Sequence, residues 1–507
     1  MRQYLVVKAD QKTVNAEGSL NAIRARIREI LEGILGSDVI DSLGMEMVAA
    51  PSLGLRWMIQ GEADRNIQSE NFTEFVVSLD FPNSDTIKQL RNTHEFFQSL
   101  GDFQEAPPQP EDSLGSDEQV LASERILRTI GADPVVHLCD LHPCAPARVF
   151  GNRSRVREMM GINALHPLTG DNVNVIIIDQ GLNRQDIEAH NPACWGGGLA
   201  HSVIDPASGE PTPELIKPGS ARSTSHGMMI ARNILDIAPK AKLYDVPLIP
   251  QRIARGNAFA STAHAVFKAA VEKIGRLRAS KNEPNSAWIL VNAWAIFDRS
   301  DEFPIGDYTL DHRRELTKHA NHSFDWAIGH PLNRMIRLAA EAKIDIVFGA
   351  GNCGQFTAST RCGKHDRGEG RSIWGANAHP SVLTVGAVSA NGQWLGYSSQ
   401  GPAPWKERDP LEKRQKPDVC TPSHFCEDND PATVNTGTSA STGLAAGVIA
   451  AIREDYGPDK VSPLQLREKI NAAARRESGG WNARTGNGLL NAAALLKELG
   501  PVPGKEH

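Results

Sequence analysis

Apolar positions follow two different rhythms along the chain. Up to about residue 103 they mark short, separate elements. Tyr4–Lys8 reads as a strand, and Leu20, Ile23, Ile27, Leu31 and Ile34 recur at helical spacing until Gly36 interrupts them. Alternation around Leu55–Ile59 and Phe75–Leu79 predicts further strands, and Thr86–Leu100 a second helix. Residues 1–103 therefore form a small α+β module. From Val173 onward the rhythm changes to continuous runs rich in β-branched residues, Val173–Ile178, Ser286–Val291, Asp345–Phe348 and Val382–Val385, separated by amphipathic helical stretches. Uninterrupted apolar strands suit a parallel sheet covered on both faces, so this part predicts an α/β fold with flanking helices over residues 155–497.

Between the two lies an acidic, Pro-rich stretch, Gln104–Gly115, with Leu114 as its sole long apolar side chain. It cannot bury enough surface to fold and reads as a linker. Ser116 and Gln119 have capping-box spacing, which predicts a connecting helix closed by Gly131. The residues from there to about 155 carry no strong signal. Residues 104–154 are thus read as linker and connecting helix, and 498–507 as a C-terminal tail.

Composition narrows the class. Of 507 residues, 40% are hydrophobic and 22% charged, which excludes a collagen-like, coiled-coil or disordered chain as a whole. The formal charge of −6 repels a phosphate backbone, so nucleic acid is not an expected partner. No stretch approaches the roughly 20 apolar residues of a membrane span, and the N-terminus has only three consecutive apolar residues after Tyr4, short of a signal-peptide core. Seven cysteines, an odd number scattered over a long chain, read as reduced thiols. Together these predict a cytoplasmic protein without disulfides.

Four short motifs carry candidate chemistry. Ile177–Gly181 places Asp179 at the C-terminal edge of an apolar strand, where open α/β sheets collect functional groups. Ser225–Ala231 sets His226 beside a glycine at the head of a helix-like stretch. Phe348–Gly354 offers the Asn352 amide just beyond a strand, on a turn whose small residues allow close backbone approach. Asn435–Gly447 puts Ser439 at the start of a segment of alanines and glycines that can sit deep in a core. Taken singly, each also reads as a turn, a cap or a structural residue.

In the order Asp179, His226, Asn352, Ser439 they resemble the subtilisin-like serine peptidases, the subtilase or peptidase S8 family. Gly437–Ser441 is similar to that family's nucleophile signature, and Lys416–Val419, His379–Ala387, Tyr397–Pro402 and Gly488–Ala492 resemble further segments of it. The resemblance implies a serine endopeptidase acting on protein or peptide substrates without a cofactor. Ser439 would be the nucleophile, His226 its base, Asp179 the carboxylate that orients the imidazole, and Asn352 with the Ser439 N–H the oxyanion donors. The strand lining the first specificity pocket, with Trp294, Ala295 and Ile296, and the Ala350–Gly351 turn would bind substrate.

Several residues depart from the family's pattern. Gln180 stands where Ser or Thr is usual, Met228 replaces a Thr and Gly443 a Pro. Trp294 and Ile296 fall where the family has small residues, which leaves two readings: Trp294 packs into the core, or it narrows the pocket. The narrowed pocket supports a rival function, a catalytically silent binding or scaffold protein. Phe297–Asn333, with His312, His319 and His322, reads as inserted surface structure. His137, Cys139, His142 and Cys144 are zinc-type ligands, but no second separated pair completes a conventional site, and no carboxylate-rich loop marks calcium. No metal site is expected. The N-terminal module is open to two readings, a propeptide that plugs the active site and a retained regulatory unit that meets a protein partner.

Overall fold

A computed structural model describes residues 151–204, 211–248, 259–280, 286–298, 331–404, 413–476 and 479–502, and before them parts of 2–49 together with 56–59, 74–80, 126–131 and 135–139. The N-terminal module contains β1 (Arg2–Lys8), α1 (Ser37–Ser42), β2 (Gly44–Ala49), β3 (Arg56–Ile59), β4 (Glu74–Asp80) and β5 (Ile126–Gly131). Four of its strands form an antiparallel sheet in the order β2-β4-β1-β5. Leu31, on the predicted helical stripe, is fully buried. The predicted helix 86–100 lies outside the described residues.

Two expectations change here. The segment predicted to end a connecting helix at Gly131 is strand β5, paired with β1, in keeping with the β-branched Ile126, Thr129 and Ile130 that it carries. The stretch after it, read as irregular, contains a further strand, β6 (Val135–Leu138). The residues 104–154 are therefore not linker throughout.

The larger part begins with α2 (Arg153–Met160), capped by Asn152, and continues through β7 (Val173–Asp179), α3 (Arg184–His190), β8 (Trp195–Ile204), β9 (Pro211–Ile216), α4 (His226–Ile237), β10 (Lys242–Pro247), α5 (Phe259–Ser280), β11 (Ala287–Asn292) and β12 (Trp294–Asp298). It ends with α6 (Pro331–Glu341), β13 (Asp345–Gly349), β14 (Leu383–Val388), β15 (Val419–Pro422), α7 (Gly437–Asp455), α8 (Pro463–Ala473) and α9 (Ala492–Leu499). The central sheet runs β15-β14-β13-β11-β7-β10-β8-β3 and is parallel from β15 to β8. β3, from the N-terminal module, closes its edge antiparallel to β8.

Side chains explain why helices cover both faces. In β7, Val173, Val175 and Ile177 join one apolar cluster while Ile176 and Ile178 join the other, as the two-residue period of a strand requires. The first cluster holds α4 and α7, the second α5 and α6. The small residues of α7 let it pack closely on α4: a side chain at Gly443 would meet the Ile230 carbonyl at 3.1 Å. At its far end Arg453 clamps α7 to β13, donating from Nε and Nη2 to the two carboxylate oxygens of Asp345 at 2.6 and 2.7 Å.

Candidate active site

The C-terminal ends of β7, β11 and β13 and the N-termini of α4 and α7 converge on one place. Asp179, fully buried at the end of β7, accepts from its own neighbour's Gln180 N–H and from His226 Nδ1, both at 2.7 Å. His226 is the first residue of α4, whose cap Ser225 accepts from Met228 N and donates to Gly181 O at 2.8 Å. The next residue must be small, since a Cβ on Gly227 would lie 2.5 Å from Gly181 O. Gln180, the unusual neighbour of Asp179, serves a local purpose. Its Oε1 accepts from the His226 N–H at 3.2 Å, so the carboxylate turn holds the head of α4.

A second carboxyl lies behind this pair. Asp245 on β10 is fully buried and accepts from the N–H of Gly219 at 2.7 Å and from that of Leu182. It ties the turn that follows Asp179 to the segment that leads to His226. Burial pushes its pKa up to about 7, and the nearby Asp179 charge adds to the shift.

Ser439 sits in the first turn of α7, with Oγ 3.2 Å from Ala293 O, to which it donates. Asn352 follows β13 on a buried turn. Its Oδ1 accepts from the Thr438 N–H and Oγ1, at 3.0 and 3.1 Å, which fixes the amide and leaves Nδ2 facing Gly437. Thr438 Oγ1 also accepts from Gly351 N at 3.1 Å. Of the four polar residues predicted to work together, Asp179 is thus joined directly to His226 and Asn352 to the turn of Ser439, whose hydroxyl is turned to Ala293 O.

The groove between β12 and the Asn352 turn is filled by the chain itself. β6 pairs antiparallel with β12, Leu138 opposite Trp294 and His137 opposite Ala295. Cys139 continues this line: its N–H donates to Ala293 O at 2.8 Å, and its carbonyl accepts from the Ser439 N–H at 3.3 Å. That carbonyl lies where a Cβ on Gly437 would be, 1.8 Å away, and Asn352 Nδ2 is 3.1 Å from the same point. The segment that follows β6 therefore presents one carbonyl to the Ser439 turn, with the Ser439 N–H donating to its oxygen and the Asn352 amide nearby.

Strand parity sorts the predicted substrate-binding residues. Trp294 and Ile296 point with Leu138 into the core; Trp294 is fully buried, edge-on to Phe348 with ring centroids 5.0 Å apart. They do not narrow the space around Cys139, so of the two readings the core one describes this side chain. Ala295 lies on the other face, beside Cys139. Ala350 packs with Ile373, Ala378 and Ala403, and Gly351 has φ +99°.

The sequence pattern does not mark Thr438, Ala293, Asp245 or the Val135–Cys139 segment for a place in this site. Thr438 lies inside the Gly437–Ser441 motif, and Val-Val-His-Leu is a short strand signal beside the zinc-type residues. A further correction concerns the thiols. Cys353 and Cys362 form a disulfide, so the chain is not free of them. Cys139, Cys194, Cys420 and Cys426 are free thiols. Of the zinc-type cluster, residues 140–144 lie outside the described residues, as do His312, His319 and His322; among the described residues no group of metal ligands assembles. Among them, too, no helix is long and apolar enough to cross a membrane.

Residues 170–488 match the peptidase S8 family, the subtilases. The chain belongs to the subtilase family. Among curated relatives, this subtilase is 33% identical over 132 residues to mycosin-1 of Mycolicibacterium smegmatis and 30% identical over 127 residues to mycosin-1 of Mycobacterium tuberculosis. These matches span 25% and 24% of the chain and 28% of each mycosin. Among solved structures, MycP1 from the ESX-1 type VII secretion system is 18% identical with a TM-score of 0.43, covering 74% of this chain and 92% of that one. Fervidolysin from Fervidobacterium pennivorans, a keratinolytic enzyme related to subtilisin, is 15% identical with a TM-score of 0.49, covering 100% of this chain and 62% of that one.

Proposed function

We propose that this subtilase is a serine endopeptidase whose N-terminal module controls access to its site. The observation that carries the reading is the Cys139 carbonyl, hydrogen-bonded to the Ser439 N–H at the end of a strand paired with β12. A peptide substrate lying as Val135–Cys139 lies would offer its carbonyl carbon to Ser439 Oγ.

Attack forms the Oγ–C bond while the hydroxyl proton passes to His226 Nε2. Asp179, bonded to Nδ1, keeps that ring in the right tautomer and stabilises the imidazolium. Negative charge on the carbonyl oxygen is met by the Ser439 N–H and the Asn352 amide, which Thr438 holds in place, so that little reorganisation is needed. The C–N bond then breaks as His226 returns the proton to the leaving amine, and water attacks the acyl-enzyme by the same route. No step calls for a metal or cofactor.

On this reading residues 1–139 act first as an intramolecular occupant of the groove, and the bond after Cys139 is the chain's own first substrate. Of the two roles open to the module, the groove contact favours the propeptide-like one. A protein partner that displaces the module is compatible with it. The Cys353–Cys362 disulfide favours an oxidising compartment, and we propose that setting in place of the cytoplasmic one.

The test is covalent labelling of the purified full chain with a fluorophosphonate, together with its intact mass. Ser439-dependent labelling that Ser439→Ala abolishes, and a product beginning at Asp140, are expected. Failure of every preparation to label at Ser439 would sink the enzyme reading and leave the scaffold one.

A further inference from the structure

The groove is seen filled, and the filling side chain is small. Cys139 is completely buried, and its side chain packs in one apolar cluster with Ala295, Phe297, Cys353 and Cys362. On the opposite side, a Cβ on Gly349 would come within 3.4 Å of Cys139 Sγ, which is van der Waals contact. The cluster that receives Sγ is thus built from an aromatic ring, the alanine of β12 and the disulfide, with the end of β13 in contact with it.

These walls are braced. Phe297 is fully buried, its carbonyl accepts from Gly363 N at 2.8 Å, and the Arg361 guanidinium lies 5.1 Å from its ring centre. The disulfide loop is tied at several points: Ser359 N donates to Asn352 O at 2.9 Å, Gly368 N to Cys353 O at 2.8 Å, and Arg367 Nη2 to Cys362 O at 2.6 Å. Cys353 N is held by Ser399 Oγ at 3.0 Å. A larger side chain at the Cys139 position would have to displace a packed ring or a cross-linked loop, and overpacking of rigid walls is costly.

Resting on the serine-peptidase reading, we infer that this subtilase selects a small, uncharged residue, such as Cys, Ala or Ser, immediately before the cut bond, and that Phe297 and the Cys353–Cys362 disulfide set that limit. Phe297 and the disulfide are specificity determinants and take no part in the chemistry. Their effect should therefore fall on which residue is accepted and not on the reactivity of Ser439.

The experiment varies residue 139 within the full chain. Cys139→Ala, Cys139→Ser, Cys139→Leu, Cys139→Phe and Cys139→Lys are compared for extent of cleavage after residue 139, by intact mass, and for rate of fluorophosphonate labelling at Ser439. Ala and Ser should match the parent. Leu, Phe and Lys should lose cleavage, or, where the chain stays intact, unseat the segment and speed labelling, by about 10-fold or more, the discrimination a tight apolar pocket gives for added methylenes. Phe297→Ala combined with Cys139→Phe should restore the parent's behaviour. Where Phe297→Ala fails to fold, Cys353→Ala with Cys362→Ala opens the same wall. Equal cleavage and equal labelling across all residues at 139, with Ser439 reactive throughout, would overturn the pocket assignment while leaving the peptidase reading intact. Absence of Ser439 labelling in every variant would instead overturn the peptidase reading, and this inference with it.

Discussion

Cys139 offers its carbonyl to the backbone N–H of Ser439 at 3.3 Å, although the two residues lie far apart in the sequence. The contact brings the residue after β6 to the turn of Ser439, and a first expectation follows from it. On the proposed reading the Asn352 amide, fixed by Thr438, is the side-chain partner of that N–H. Asn352→Ala should lower turnover by about 10²–10³, the size established for one such donor in a subtilisin, with substrate binding little changed. Steady-state kinetics on a peptide ending in a small residue before the cut bond checks this. A tenfold or smaller loss would mean that Asn352 is not aimed at the oxyanion.

Gly437 supplies a sharper probe of the same contact. Its φ is +70°, and an added Cβ would sit 1.8 Å from the Cys139 carbonyl oxygen. Gly437→Ala should cost about 1–2 kcal/mol of stability from the left-handed backbone and, separately, exclude any bound carbonyl from the Ser439 N–H. Thermal melting should therefore move by a few degrees while kcat/KM falls to near background. A variant that melts lower yet cuts normally would show that substrates bind elsewhere.

Much of this was legible in the chain itself. Val173–Ile178 announced a doubly covered strand because its apolar residues continue without a polar face, and the glycines of α7 announced a helix packed deep against a neighbour. Asp179, His226, Asn352 and Ser439 stood out because each sits at the end of such an element. Other features depended on pairing that no local pattern records. Whether Trp294 or Phe297 faces the groove is a question of strand parity, and parity on β12 is set only once β6 lies beside it. Cys353 and Cys362 are nine residues apart, and nothing in an odd set of seven thiols singles out that pair. The Ile126–Ile130 run is locally compatible with the end of a helix, and its pairing with β1 is what makes it a strand.

Asp245 leads to a prediction about pH. An unfolded Asp titrates near 3.8, whereas burial pushes Asp245 in the folded chain up to about 7. Between these values the folded state holds a proton that the unfolded chain has released, so stability is full below the lower value and declines as pH rises through the upper one. The slope across that window is about 1.4 kcal/mol per pH unit for one group. Asp245→Asn keeps an acceptor for the Gly219 N–H and removes the titration. Melting curves at about pH 5 and pH 8 should therefore differ less for the variant than for the parent. Equal differences would remove Asp245 as the source.

The Arg453–Asp345 pair tests how α7, and with it Ser439, is anchored. Both side chains are buried, Arg453 almost completely, and the guanidinium also donates to the carbonyls of Tyr456 and Val461. Removing one partner strands a charge in the core, which costs about 3–5 kcal/mol, whereas replacing both with apolar residues of like volume avoids that penalty. Arg453→Met should therefore be strongly destabilising, and Asp345→Leu added to it should recover a good part of the loss, though not the share owed to the two carbonyls. Denaturant unfolding of the two single variants and the double variant yields the coupling directly. Strictly additive losses would mean that the pair does not act as a unit, and that the apolar contacts of α7 with α4 hold the Ser439 turn in place.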